Sequence, residues 1–404
     1  MEIRPILSTL RRHKVTALLI AIEIALTCSI ICNAVFLISQ RVQRMNLPSG
    51  VAEHELVQVQ VVDIGDRPDA KAHREEDLAA LRAIPGVKAV SRINQLPFVD
   101  SSWNNSIFLS ATQTQPTLSA TMYFGTNVLQ TLGTRLVAGR DFTPSEYAEY
   151  HDVLRDSKLM PRVVIITRAL AQKLWPGQSA LGKTIYFDAQ TPLQVIGVVA
   201  GLIRPSLSDG VNAAQWSTVV PMRFSGGGSY LLRTDPGSRQ RVIKAAVTAL
   251  KALDPKRIFR KQRTLDDAKV EFFQGDRAMA GLLGGVIVAL LLVTALGIVG
   301  LASFWVAQRR KQIGVRRALG ATRGDILRYF QTENFLIVTF GIVLGMVLAF
   351  AINLTLMKFY ELPRLPFFYL PISALVLWGL GQLAVLGPAL RAAAVPPVVA
   401  TRTV

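Results

Sequence analysis

Residues 177–184, GQSALGKT, match the phosphate-binding pattern G-x-x-x-x-G-K-[ST] letter for letter. That chemistry needs a strand to deliver the loop and a helix to leave it, so that backbone amides and the helix N-terminus converge on the phosphates. Here the order is reversed. TRALAQKLW (167–175) has helical spacing, Pro176-Gly177 breaks it, and TIYFD (184–188) alternates as a strand. No apolar strand ending in an acidic residue offers a second, magnesium-holding element. The segment is expected to be a turn with Lys183 solvated, not a nucleotide site.

The other reactive residue types are scattered. His13, His54, His73 and His151 lack metal-ligand spacing, and no G-x-S-x-G or H-E-x-x-H pattern occurs. Cys28 and Cys32 are the only cysteines and share one apolar run, so they read as packing residues on one helix face. Glu23 and Glu333 are more informative, because an ionisable group at membrane depth is costly and often functional. Glu23 lies too far from the end of its run for a short side chain to snorkel, so it is the candidate intramembrane polar residue, either binding a proton or paired at a helix interface. Glu333, near an interface, reads as structural.

What must position these residues is a membrane. Half of the 404 residues are hydrophobic, and four apolar runs reach the roughly 20 residues a bilayer requires: 15–39, 278–306, 332–357 and 371–390. The first is too long for a signal-peptide core and has no clear cleavage site, so it reads as a retained anchor. Small residues recur in the second and third runs at spacings that allow close helix approach. The net charge of +18 would suit a nucleic-acid binder if it were spread over one surface, but it sorts by topology. Arg4, Arg11, Arg12 and Lys14 precede the first run. Arg309, Arg310, Lys311, Arg316, Arg317, Arg323 and Arg328 lie between the second and third, and Arg391 and Arg402 follow the fourth; Glu2 and Asp325 are the opposing acids. Positive flanks mark the cytoplasmic side. Both termini are therefore expected in the cytoplasm, membrane lipids are the expected surroundings, and no nucleic-acid partner is expected.

Residues 41–276 then lie outside the cytoplasm and are long enough for a core of their own. LVQVQVVDI (56–64) alternates as a strand, HREEDLAALRAI (73–84) has helical spacing, and VKAVSRI follows the turn at Pro85-Gly86. The same order begins again with SYLLRT (229–234) and SRQRVIKAAVTALKAL (238–253). Two related units are expected at a membrane-proximal base, with a second lobe between them that includes strands at 162–167 and 193–203 and returns through Gly226-Gly227-Gly228. The fold class expected is thus an α-helical membrane protein of four transmembrane helices, with a mixed α/β extracytoplasmic domain of two lobes inserted between the first and second helices. The divisions are 1–40, 41–276, 277–307, 308–330 and 331–404.

The loop after the second run carries RRKQIGVRRALGAT (309–322), which closely resembles the cytoplasmic signature of MacB/FtsX-type ABC transporter permeases. GPALRAAAVP (387–396) is similar to the basic, proline-containing C-terminal segment of that family, and LWPGQSALGKTI to a stretch common in its outer domain. The resemblance covers nearly the whole chain. It implies that Gln312, Ile313, Gly314, Val315, Arg316, Arg317, Ala318, Leu319 and Gly320 form a coupling helix against a cytoplasmic ABC ATPase subunit, with Gln312 standing where the family commonly has Glu. It further implies a bacterial inner-membrane permease that is not itself an enzyme and binds no cofactor, with ATP and magnesium held by the partner. A second permease protomer, a periplasmic adaptor and an outer-membrane channel are the other implied partners. Mechanotransmission for efflux is the function this favours; lipoprotein release, or a membrane sensor whose outer domain binds a partner, are the alternatives.

Overall fold

The computed structural model describes residues 14–62, 69–99, 101, 103–187, 191–207, 210–224, 228–360 and 364–394. Glu2, Arg4, Arg11, Arg12, His13, Ile64, Asp188, Gly226, Gly227, Pro396 and Arg402 lie outside the described residues. The chain divides into two compact units, Asn46–Gln274 on the one hand and Met1–Met45 with Gly275–Val404 on the other.

In chain order, α1 (Lys14–Met45) is followed by β1 (Leu56–Val62), α2 (Ala70–Arg82), β2 (Val87–Ile93), β3 (Asn104–Phe108), β4 (Leu118–Phe124), α3 (Val128–Leu132) and β5 (Leu136–Gly139). Next come β6 (Ala148–Glu149), α4 (Tyr150–Arg155), β7 (Val163–Thr167), α5 (Arg168–Leu174), β8 (Thr184–Phe187), β9 (Thr191–Val199), β10 (Ser217–Val220) and β11 (Met222–Arg223). Then β12 (Gly228–Thr234), α6 (Arg239–Leu253), β13 (Ile258–Thr264) and α7 (Leu265–Phe272) lead to the remaining long helices, α8 (Gln274–Gln308), α10 (Arg323–Tyr360) and α11 (Tyr369–Ala393), with the short α9 (Arg310–Ala318) between α8 and α10.

In the unit Asn46–Gln274, one sheet has the order β13-β1-β12-β2 with every neighbouring pair antiparallel. The two expected strand-helix units are there, but they interleave: β1 and β2 are parallel and separated by β12, the split β-α-β arrangement of ferredoxin-like folds. Alternate residues Val57, Val59 and Val61 of β1 point to one face and meet Leu78 and Leu81 of α2 and Val242, Ala246 and Leu250 of α6, all buried. Sequence reasoning did not find β13. Its residues IFRKQRT show no alternation because it is an edge strand, and charged side chains there discourage pairing with another chain.

A buried polar group fastens this sheet to its helices. Asp77 on α2 accepts from the Tyr230 hydroxyl on β12, and both its carboxylate oxygens lie 2.7 Å from the Arg257 guanidinium. Arg92 on β2 donates to the same Tyr230 oxygen at 3.0 Å. All four side chains are buried.

Between β2 and β12 the chain builds a second sheet, in the order β5-β9-β7-β10-β4-β3-β8, that closes on itself where β8 also pairs with β9. Ile107, Met122, Phe124, Val164, Ile166, Ile185, Leu193 and Val195 fill its core. The strand expected over 193–203 stops at Val199 because the chain beyond it has other partners. The Leu202 amide donates to the Gln215 side chain, and the Ile203 amide to the Ser49 carbonyl in the segment that follows α1. Glu146, near β6, takes two hydrogen bonds from Arg140, at 2.6 and 2.9 Å, and one from the Thr143 amide at 2.8 Å. The Arg140 guanidinium, helped by Thr143, holds its carboxyl down at about 2. The contribution is present above the ordinary value of 4.5 and lost as pH falls towards 2. Acid titration of the unfolding of residues 46–274 should therefore show Glu146→Gln less stable by about 1 kcal/mol at pH 7, with the gap closing by pH 2.

In the other unit, α1, α8, α10 and α11 are long and apolar enough to cross a membrane. Each runs past its expected bounds: α1 continues from Ser39 to Met45, and α10 begins nine residues before Thr332. Two of these helices, α1 and α10, approach closely. A Cβ placed on Gly341 would lie 2.8 Å from the Ile24 Cβ, and one on Gly345 would lie 2.6 Å from the Cys28 Cβ. Small residues four apart thus let two backbones meet, as is common between helices in lipid. Most glycines of the second span act differently: Gly281, Gly284, Gly285 and Gly300 face open space.

Candidate functional site

Arg309 interrupts the helical path between α8 and α9, and α9 then runs for nine residues before Gly320, at φ +99, ends it in a conformation that favours glycine. Thr322 and Asp325 cap the start of α10 reciprocally: the Thr322 hydroxyl and amide donate to the Asp325 carboxylate at 2.6 and 2.9 Å, and the Asp325 amide returns to the hydroxyl at 3.2 Å. The turn from α9 to α10 is therefore tight and fixed at its far end.

The faces of α9 differ sharply. Ile313 is buried among Val306, Ile326, Phe330, Ala389 and Ala392, which belong to α8, α10 and α11, and Gly314 is buried beside it. Gln312, Val315, Arg316, Ala318, Leu319 and Gly320 are exposed, and Arg317 is half-buried. Leu319 is 82% exposed and Val315 47%. Ile313 and Gly314 thus serve the chain's own packing, and the surface open to another protein is narrower than the run Gln312–Gly320. Arg316 is also committed, its guanidinium lying 4.9 Å from the centre of the Tyr329 ring.

Behind this surface is a contact that sequence reasoning missed. Arg309 Nη1 donates to both oxygens of Glu333 on α10, at 2.8 and 3.1 Å, and both side chains are buried. The guanidinium also lies over the Trp305 ring, 5.5 Å from its centre. The signal in the sequence was Glu333 itself, an acid at the edge of an apolar run that required a partner. Glu23 is half-buried on α1 with its carboxylate against Gly297 of α8, where a Cβ would come within 2.7 Å of Oε2. One turn on, the Thr27 and Thr294 hydroxyls hydrogen-bond at 2.9 Å. Glu23 therefore belongs to a polar seam between the first two spans.

The phosphate-loop pattern lies between α5 and β8, helix before strand as expected from its flanks. Its amides are engaged: Gly182 N–H donates to the Val195 carbonyl at 2.8 Å and Lys183 N–H to Ala180 at 3.2 Å. Lys183 is not simply solvated. Its ammonium bonds to Gln178 and sits over the Trp175 ring. These groups do not fit a phosphate cradle. His54 bonds to Asp266 at 3.0 Å, and no cluster of three metal-ligating side chains occurs among the described residues.

A family model described as the MacB-like periplasmic core domain matches residues 16–250, and one described as the FtsX-like permease C-terminal region matches residues 284–397. The chain belongs to the MacB/FtsX-type permease family. Among curated relatives, the pyoverdine export ATP-binding/permease protein PvdT of Pseudomonas aeruginosa is 27% identical over 49% of this chain and 31% of its own length. The macrolide export ATP-binding/permease protein MacB of Chromobacterium violaceum is 29% identical over 53% of this chain and 34% of its own. The permease thus matches about a third of the length of those two relatives. An uncharacterized ABC transporter permease of Bacillus subtilis, YknZ, is 24% identical over 70% of this chain and 68% of its own length. The permease is a membrane protein with a MacB-like periplasmic domain.

Proposed function

We propose that this permease is one of a pair of protomers in an inner-membrane ABC exporter, driven by a separate cytoplasmic ATP-binding protein that docks on the exposed face of α9. Leu319 carries this reading. A leucine 82% exposed at the end of a basic helix is an unfilled apolar anchor, and such anchors mark helix-docking surfaces. Val315 and Ala318 extend its apolar contact, while Gln312, Arg317 and the outer edge of Arg316 supply polar ones. The basic residues around α9 favour a cytoplasmic position for it and for both termini. Export is the direction named for both PvdT and MacB, which favours efflux over lipoprotein release. ATP and magnesium belong to the docked protein.

Movement at α9 reaches the periplasmic side through the helix bundle rather than through a solute channel. There the closed sheet presents the surface for an adaptor and, through it, an outer-membrane channel. Purification from native membranes in mild detergent should bring down an ATP-binding protein with wild type. Leu319→Asp should reduce its recovery at least about tenfold, because burying an unpaired carboxylate at the anchor costs more than about 1.4 kcal/mol. Undiminished recovery with Leu319→Asp would remove α9 as the docking helix.

A further inference from the structure

Arg309 occupies the single break between the second span and α9, yet its side chain follows neither helix. Its amide closes the last turn of α8 on the Trp305 carbonyl at 3.0 Å, and its carbonyl accepts the Ile313 amide at 2.9 Å to start α9. The guanidinium meanwhile crosses to Glu333, which is only 1% exposed on α10. A buried ion pair is a poor way to gain stability, since desolvation offsets most of its attraction. What it does well is fix one arrangement, because either partner left alone is costly.

Other ties of α9 run to the same helix, beside the contacts of Ile313 with Ala389 and Ala392 of α11. At its C-terminal end the four residues Leu319, Gly320, Ala321 and Thr322 pass straight into α10, whose first turn is capped by Thr322 and Asp325. In the middle, Ile313 packs with Ile326 and Phe330 of α10, and Arg316 stacks on Tyr329 of the same helix. To α8, the helix is joined through the break at Arg309 and the contact of Ile313 with Val306. From α10 the contacts continue to α1 through Gly341 and Gly345.

We infer that Arg309 and Glu333 form a latch that fastens the head of α9 to the third span, so that a push on α9 is delivered to α10 and from there to α1, with Arg309 as the hinge towards the second span. Its role in driving transport rests on the proposal that α9 is the docking helix; the latch itself is a property of this chain alone. Arg309 and Glu333 are positioning residues. Both hydrogen bonds leave from Nη1, so a lysine ammonium can make the same end-on contact while losing the stacking on Trp305.

The test uses the full chain in lipid nanodiscs, with amide hydrogen exchange followed over 310–318 and over 341–349. Glu333→Gln should speed exchange across 310–318 by at least about fivefold and leave 341–349 as in wild type. Arg309→Lys should recover most of the protection, and the swap of Arg309→Glu with Glu333→Arg should be more protected than either single change. Unchanged exchange over 310–318 in Glu333→Gln overturns the latch, as does a swap no better protected than its component variants. If Glu333→Gln unfolds the whole bundle, the comparison of Arg309→Lys with Arg309→Leu decides in the same way. A second arm keeps the two ideas apart. With the copurified ATP-binding protein present, Glu333→Gln should retain it while ATP turnover no longer responds to the permease, and Arg309→Lys should restore that response. Loss of the bound protein from Glu333→Gln with exchange over 310–318 unchanged would also overturn the latch. Failure of wild type to retain any ATP-binding protein would overturn the docking proposal and leave the exchange result to decide the latch.

Discussion

Gly345→Leu is expected to pull the first and third spans apart. The new Cβ alone would stand 2.6 Å from the Cys28 Cβ and 2.7 Å from the Ala25 carbonyl oxygen, most of it backbone or a short side chain that has nowhere to go. Overpacking a well-fitted contact costs about 1–3 kcal/mol, and a leucine here adds three further carbons to the clash. Little hydrophobic driving force holds helices together in lipid, so close packing is the main attraction that would be lost. Size-exclusion chromatography after a thermal ramp in detergent should show the variant aggregating at a temperature well below wild type. Gly379→Ala, on α11 with nothing within 4 Å, should stay within about 0.5 kcal/mol. Equal behaviour of the two variants would mean that the α1–α10 contact does not hold the bundle.

Asp77→Ala should have a comparable effect in the periplasmic unit, by a different route. The carboxylate is 1% exposed and faces Arg257, itself 6% exposed, and the Tyr230 hydroxyl. Removing it takes from the Arg257 guanidinium its buried counter-charge and from Tyr230 its acceptor, and breaking a buried pair in this way costs about 3–5 kcal/mol. Urea unfolding of residues 46–274 should show a midpoint shift of that size without a change in slope. Asp77→Asn keeps an acceptor for Tyr230 and should fall between. Burial, with a smaller contribution from Asp77, pushes the Tyr230 hydroxyl above its ordinary value of 10. The folded state therefore keeps a proton that the unfolded chain releases, and stability should fall as pH rises past 10. Tyr230→Phe should flatten that decline; a slope unchanged in the variant would show that another group governs it.

The parts legible in the sequence are those whose signal is local. Apolar runs of about 20 residues declare a span wherever they stand, and the signature around α9 carries its own amphipathic spacing. Helix before strand around Gly177–Thr184 was likewise readable from Pro176 and the flanking patterns. The phosphate-loop letters, taken alone, pointed the wrong way. What stayed hidden is non-local. Arg309 and Glu333 are 24 residues apart and Asp77 and Arg257 are 180 apart, and neither spacing nor composition brings such pairs together. Ile313 looked like part of a docking face because amphipathic spacing marks an apolar residue without saying which neighbour will cover it. β13 was missed for the opposite reason, since its side chains are mostly exposed and leave no alternation to find.

Ile93, where the chain leaves the four-stranded sheet, is paired directly with Ser229, where it has just returned. Everything between them leaves and returns at two adjacent points, and is tied to the rest of the unit by further contacts such as Arg74 to Glu149 and the Ile203 amide to the Ser49 carbonyl. With those ties kept, lengthening the excursion adds only a loop-closure cost that grows by about 0.6 kcal/mol per doubling of length. The four-stranded sheet is a socket and the closed sheet a cassette plugged into it. Descendants of such a chain can exchange the cassette while keeping the four-stranded sheet unaltered.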